Sequence, residues 1–167
     1  MGCNASLILD PVQIRIAIYT PECIDVEDAS TASGAHLLLF GCGNGKMSQE
    51  WAITPQGSGE FNTVMNENSK MCMSVSALPN NQGFGEAVIQ ATCNKSDPDM
   101  LWEVVADKAA NAVTGTAFVN EASGQCLDLP YGAVDAPDTL PLQQYECTGT
   151  DPAQVWNINP VQMGNIP

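Results

Sequence analysis

The sequence predicts an all-β fold built from three copies of one unit of four short strands. Three observations carry that expectation. The rare residues obey one spacing rule: Cys23, Cys42 and Trp51, then Cys72, Cys93 and Trp102, then Cys126, Cys147 and Trp156, with each tryptophan nine residues after the second cysteine. These sets use every tryptophan and six of the seven cysteines of the 167-residue chain, and they recur at a period of about 51–54 residues. Periods of that length mark units that cannot bury their apolar faces alone and must stack or close on one another. Within a unit the apolar pattern has period two, and Gly- and Pro-bearing segments punctuate it.

The first unit sets the layout. Val12-Gln13-Ile14-Arg15-Ile16-Ala17-Ile18 alternates as a half-buried strand does, and β-rich segments follow at 23–26, 37–42 and 51–53. In the later units, Asn66-Glu67-Asn68-Ser69-Lys70-Met71-Cys72 and Asn120-Glu121-Ala122-Ser123-Gly124-Gln125-Cys126 share Asn-Glu-x-Ser-x-x-Cys. Turn residues at 80–83 and 131–137 separate strands, and the short helix-permissive window 107–112, where two units join, is read as a loop. Each tryptophan starts a Trp-x-Ile or Trp-x-Val strand (Ile53, Val104, Ile158), so alternation places indole and branched aliphatic on one face toward a shared axis. A fixed offset from a cysteine pair is a packing signature, and we read the indoles as core. The units span about 12–58, 59–111 and 112–160 of one domain that takes in residues 1–167.

The cysteine pairs stand 19 to 21 residues apart, with no Cys-x-x-Cys and a single histidine, His36. That spacing argues against a zinc site and for in-repeat disulfides Cys23–Cys42, Cys72–Cys93 and Cys126–Cys147. Disulfides imply an oxidising, extracellular compartment. Met1-Gly2-Cys3 with Ser6 also fits an acylation signal, which gives membrane association through Gly2 and Cys3 as the alternative, and leaves Cys3 for a lipid or a covalent partner chain. Nineteen acidic against five basic side chains give a net charge of −14, which repels phosphate backbones and excludes nucleic acid as a natural partner. No cofactor motif and no metal-ligand cluster stand out.

Paired cysteines, Asp two residues after the first, and the Gln-x-Trp ends Gln49-Glu50-Trp51 and Gln154-Val155-Trp156 resemble the ricin-type lectin repeat. Three such repeats resemble one ricin B-type β-trefoil over about residues 12–160. The resemblance implies a six-hairpin trefoil, six strands forming a short barrel and six capping it, and binding of galactose or N-acetylgalactosamine-type glycans in up to three shallow pockets, one per repeat. It also implies the sugar-binding residues. A pyranose offers an apolar C–H face and a rim of hydroxyls, so a pocket needs an aromatic plate and polar partners. The third repeat has acid, amide, plate and second amide: Asp128, Gln143, Tyr145 and Gln154. The first is partial, with Asp25, Phe40 and Gln49 but Leu38 in place of the amide, and is expected to bind more weakly. The second has Ser74, Ile89, Ala91 and Met100 and is expected to bind no sugar.

The partners so implied are glycans of glycoproteins or glycolipids. No second acid accompanies Asp25 or Asp128 as a glycosidase pair, and no nucleophile motif surrounds His36, so the reading is a binding protein, or the non-catalytic module of a larger enzyme or toxin. The alternative is a trefoil protease inhibitor or receptor-binding protein acting through loops.

Overall fold

Each cysteine–tryptophan unit folds into four strands. A computed structural model of the chain describes residues 9–18, 22–79, 85–110, 113–130 and 141–161. The first unit contains β1 (Leu9–Ile16), β2 (Glu22–Val26), β3 (Leu37–Gly41) and β4 (Trp51–Gln56). The second contains β5 (Phe61–Asn66), β6 (Cys72–Pro79), β7 (Glu86–Ala91) and β8 (Trp102–Ala110). The third contains β9 (Val113–Asn120), β10 (Cys126–Asp128), β11 (Gln143–Tyr145) and β12 (Trp156–Pro160).

The first and last strands of the units close a ring. β1 pairs with β4, β4 with β5, β5 with β8, β8 with β9, β9 with β12, and β12 returns to β1, all antiparallel. A ring of six leaves none of these strands as an open edge. The middle strands form hairpins β2–β3, β6–β7 and β10–β11, each tied to its ring through one equivalent contact: Arg15 with Cys23, Met65 with Cys72, Val119 with Cys126. This is a β-trefoil.

The repeated residues now have physical jobs. Trp51, Trp102 and Trp156 are fully buried, and each indole donates to the carbonyl just after the first cysteine of its unit: Ile24, Met73 and Leu127, at 3.1–3.2 Å. A buried indole N–H needs such a partner. The disulfides Cys23–Cys42, Cys72–Cys93 and Cys126–Cys147 staple the three hairpins. Asn66 and Asn120 accept from the two backbone amides that follow in their turns and donate to carbonyls of the preceding unit, Ser48 and Asp99. The serines of the same motif reach Gln90 and Gln144, so Asn-Glu-x-Ser is a joint between neighbouring strands. Gln144 is buried, as alternation from Cys147 requires, and its amide donates to Glu86.

One expectation is corrected. The window 107–112 is not a loop up to Ala110: β8 continues through it and pairs Lys108, Ala109 and Ala110 with Gly115, Thr114 and Val113 of β9, after a register shift beyond Val105. Pairing with a neighbouring strand overrides the weak local preference for helix. The expected turns at 80–83 and 131–137, and the Gly2–Cys3 segment, lie outside the described residues.

Candidate functional site

The acid of the first repeat sits on β2, directly opposite Leu38 of β3. Asp25 is 8% exposed, and its Oδ2 accepts a 2.8 Å hydrogen bond from Gln49 Nε2. Gln49 is held in turn by the chain around the second cysteine: it donates to Gly41 O and accepts from Gly43 N, the residues on either side of Cys42. The Gln of Gln-x-Trp therefore locks the acid to the disulfide. Its amide lies inside the fold and does not reach the pocket rim.

Above this floor is an open cavity of about 630 Å³, lined by Asp25, Leu38, Phe40 and Asn68 and by the turns 26–29 and 45–48. Phe40 is 44% exposed, an aromatic face presented to solvent at the plate position. Asp25 Oδ1 is buried and has no hydrogen-bond partner among the described residues. A buried carboxylate oxygen left unpaired is costly, and a hydroxyl or ammonium donor that reached it from the cavity Asp25 lines would relieve that cost. The rim includes Asp28 and Ala29 with φ of 55° and 51°, the left-handed region that non-glycine residues rarely occupy. Glu27, also on the rim, contacts His36 Nδ1 at 3.3 Å, which is where the lone histidine meets the site.

The third repeat uses the same frame differently. Gln154 donates to Glu146 O and accepts from Thr148 N, flanking Cys147 as Gln49 flanks Cys42. Asp128 is opposite Gln143 on β11 and accepts from it at 2.7 Å. The Gln143 side-chain oxygen Oε1 accepts from Gly85 N, so the neighbouring repeat closes over the amide. That approach needs a glycine, since a Cβ at Gly85 would stand 1.9 Å from Gln144 O.

Asp128, Gln143 and Gln154 are all buried, and Tyr145 alone of the four is exposed. Burial pushes the Asp128 carboxyl up to about 6; hydrogen bonds from Gln143 and Gln154 oppose the rise and the nearby Asp151 adds to it. Residues 131–140, between Asp128 and Gln143 in sequence, lie outside the described residues.

In the second repeat Ser74 stands at the acid position, buried, and Met100 replaces the glutamine. The Met100 thioether accepts from Asn94 N, the same backbone donor slot that Gln49 and Gln154 fill. The frame survives there without an acid.

Lys46 is the residue that sequence reasoning missed. Its ammonium lies 4.7 Å from the centre of the Phe40 ring, a cation–π contact across the plate. Comparing repeats could have found it. Five residues before the tryptophan, the second and third repeats carry Asp97 and Asp151, each capping the 3-10 turn by accepting from a backbone amide two residues on. Lys46 makes no such cap.

Residues 12–91 match the family described as ricin-type beta-trefoil lectin domain-like, a span that includes the whole first-repeat pocket. Among solved structures, the designed three-fold symmetric protein ThreeFoil shares 22% identity over 89% of this chain and 97% of its own, with a TM-score of 0.73. A ricin B-like lectin from Macrolepiota procera, solved in complex with lactose, shares 17% over 96% of this chain and 99% of its own, at 0.68. An exo-β-1,3-galactanase from Clostridium thermocellum shares 19% over 91% of this chain at 0.73, but the matched part is only 30% of that enzyme. At these identities the likeness shows the fold. No curated protein sequence matches the chain.

Proposed function

We propose, for a chain that carries the ricin-type β-trefoil lectin fold, that it binds carbohydrate of the galactose and N-acetylgalactosamine class, and that the first-repeat pocket is its principal site. The observation that carries this is Asp25: a buried carboxylate fixed by Gln49, with one oxygen unpaired, lining the cavity beside the exposed ring of Phe40. Phe40 would take the C–H face of a hexose and Asp25 would accept from ring hydroxyls. Leu38 supplies no amide, so the acid carries the polar recognition. The third repeat is a second, weaker site, because the amide opposite the acid, Gln143, already hydrogen-bonds Asp128, whereas Leu38 opposite Asp25 leaves one carboxylate oxygen unpaired. The lactose complex of the Macrolepiota procera lectin supports the sugar class.

The role is binding, by the chain alone or as the targeting part of a larger protein, with glycans of glycoproteins or glycolipids as partners. Three disulfides favour an extracellular setting. Titration of galactose and lactose into the protein, followed by NMR, tests the reading: millimolar binding with shifts centred on Asp25 and Phe40 is expected, near −4 kcal/mol. Protease inhibition without sugar binding would favour the loop-acting alternative instead.

A further inference from the structure

We propose that the first-repeat pocket selects sugars carrying a free, protonated amine, such as galactosamine, over their neutral counterparts, and that Lys46 is a tethered stand-in for that amine. The inference rests on the reading of this pocket as a sugar site. Its first support is occupancy: the Lys46 ammonium already lies over the Phe40 plate at 4.7 Å. A neutral hexose that stacks on Phe40 must first displace a cation from the ring, whereas an amino sugar replaces one cation by another.

The second support is charge. Asp25, Glu27 and Asp28 all line the cavity, against Lys46 as its one basic side chain, in a protein of net charge −14. Carboxylates in that number disfavour an acidic sugar and attract an ammonium. The third is the unpaired, buried Oδ1 of Asp25, an acceptor that an ammonium or hydroxyl donor could satisfy.

The fourth is the threefold comparison. Lys46 stands where Asp97 and Asp151 cap their turns, so the first repeat gives up a cap and places a cation beside its pocket. Gly43 permits this placement, because a Cβ there would stand 2.8 Å from the Lys46 side chain.

Galactosamine, galactose, N-acetylgalactosamine and galacturonic acid titrated into the whole chain, below the pKa of the amine and at low and high salt, decide the matter. Galactosamine should bind about 5- to 20-fold more tightly than galactose at low salt, the margin shrinking in high salt, with N-acetylgalactosamine behaving as the neutral sugar. Lys46→Gln should tighten galactose binding about threefold, since nothing then needs displacing. Galactose binding as tightly as galactosamine overturns the amine preference and leaves the sugar site standing. Tighter binding of galacturonic acid, lost in Lys46→Gln, would make Lys46 an anion contact and overturn it as well. If no sugar binds, both the site reading and this inference fall.

Discussion

The first and third repeats carry the same acid on the same frame, yet in one the acid lines a cavity with an oxygen unpaired and in the other it is hydrogen-bonded by the amide opposite. In both, the Gln-x-Trp glutamine grips the backbone on either side of the second cysteine. What differs is the residue opposite the acid. Leu38 cannot hydrogen-bond Asp25, so one of its oxygens stays unpaired; Gln143 bonds Asp128 and is itself covered by Gly85 from the second repeat. The repeat that looks more complete as a list of sugar-binding residue types is the one whose polar groups satisfy each other. A matching set of residues is a binding site only where some of its hydrogen-bonding capacity is left over.

The largest expected effect separates the two acids. Asp25→Asn keeps an acceptor for Gln49 but removes the charge, and should weaken galactose binding roughly 10- to 100-fold, as loss of a charged hydrogen bond of about 1.5–3 kcal/mol implies. Asp128→Asn should change total binding by less than about threefold, on the same scale. Calorimetric titration of both variants checks this, and equal losses would erase the distinction between the repeats.

Removing a disulfide sharpens the comparison from below. Each closes a loop of 19 or 21 residues, so the double change of either pair to serine should cost about 3 kcal/mol in the chain-entropy view. Loss of Cys23–Cys42 should in addition weaken sugar binding, because Gly41 and Gly43 position Gln49 and through it Asp25. Denaturant melts paired with sugar titration separate the two effects. Loss of Cys126–Cys147 should move stability by a comparable amount and touch sugar binding only through the weaker third-repeat site, so its effect on total binding should be the smaller.

A third contrast is in pH. Asp128 has a folded-state value of about 6, above its ordinary 3.8, so the folded chain holds a proton that the unfolded chain releases. Its stabilising contribution is whole below about 3.8 and is lost as pH rises to about 6, on the order of 2–3 kcal/mol in all. Asp128→Asn should lack that slope and should gain on the wild type between pH 4 and 6 in thermal melts. Parallel curves would show that the acid is not desolvated.

Much of the frame was legible in the sequence because cysteine and tryptophan are rare and do one job each. The tryptophan offset gave the starts of β4, β8 and β12, and alternation from Cys147 gave the inward turn of Gln144. The extension of β8 to Ala110 was not legible, since Asp107–Ala112 has no strong pattern of its own and is shaped by β9. The site was half legible. Position showed the acids and plates, but Gln49 and Gln154 turn inward to backbone partners that no motif names. The cover over Gln143 comes from Gly85, 58 residues away in another repeat. Lys46 was visible only by aligning the repeats on their tryptophans.

The smallest effect tests that alignment directly. Lys46→Asp would give the first repeat the side chain that caps the 3-10 turn in the other two, where Asp97 and Asp151 accept from Asp99 N and Ala153 N. A single-turn 3-10 element gains little from a cap, up to about 0.5–1 kcal/mol, and the gain is offset by a fourth carboxylate beside Asp25, Glu27 and Asp28. The variant should therefore melt within about 3 °C of the wild type, and nearer the upper end in high salt, where repulsion is screened and the cap is not. Its Phe40 plate would be free of the ammonium. If stability instead fell sharply and salt did not restore it, Lys46 would be holding the turn in a way its cation–π contact does not explain, and the equivalence of the three positions would fail.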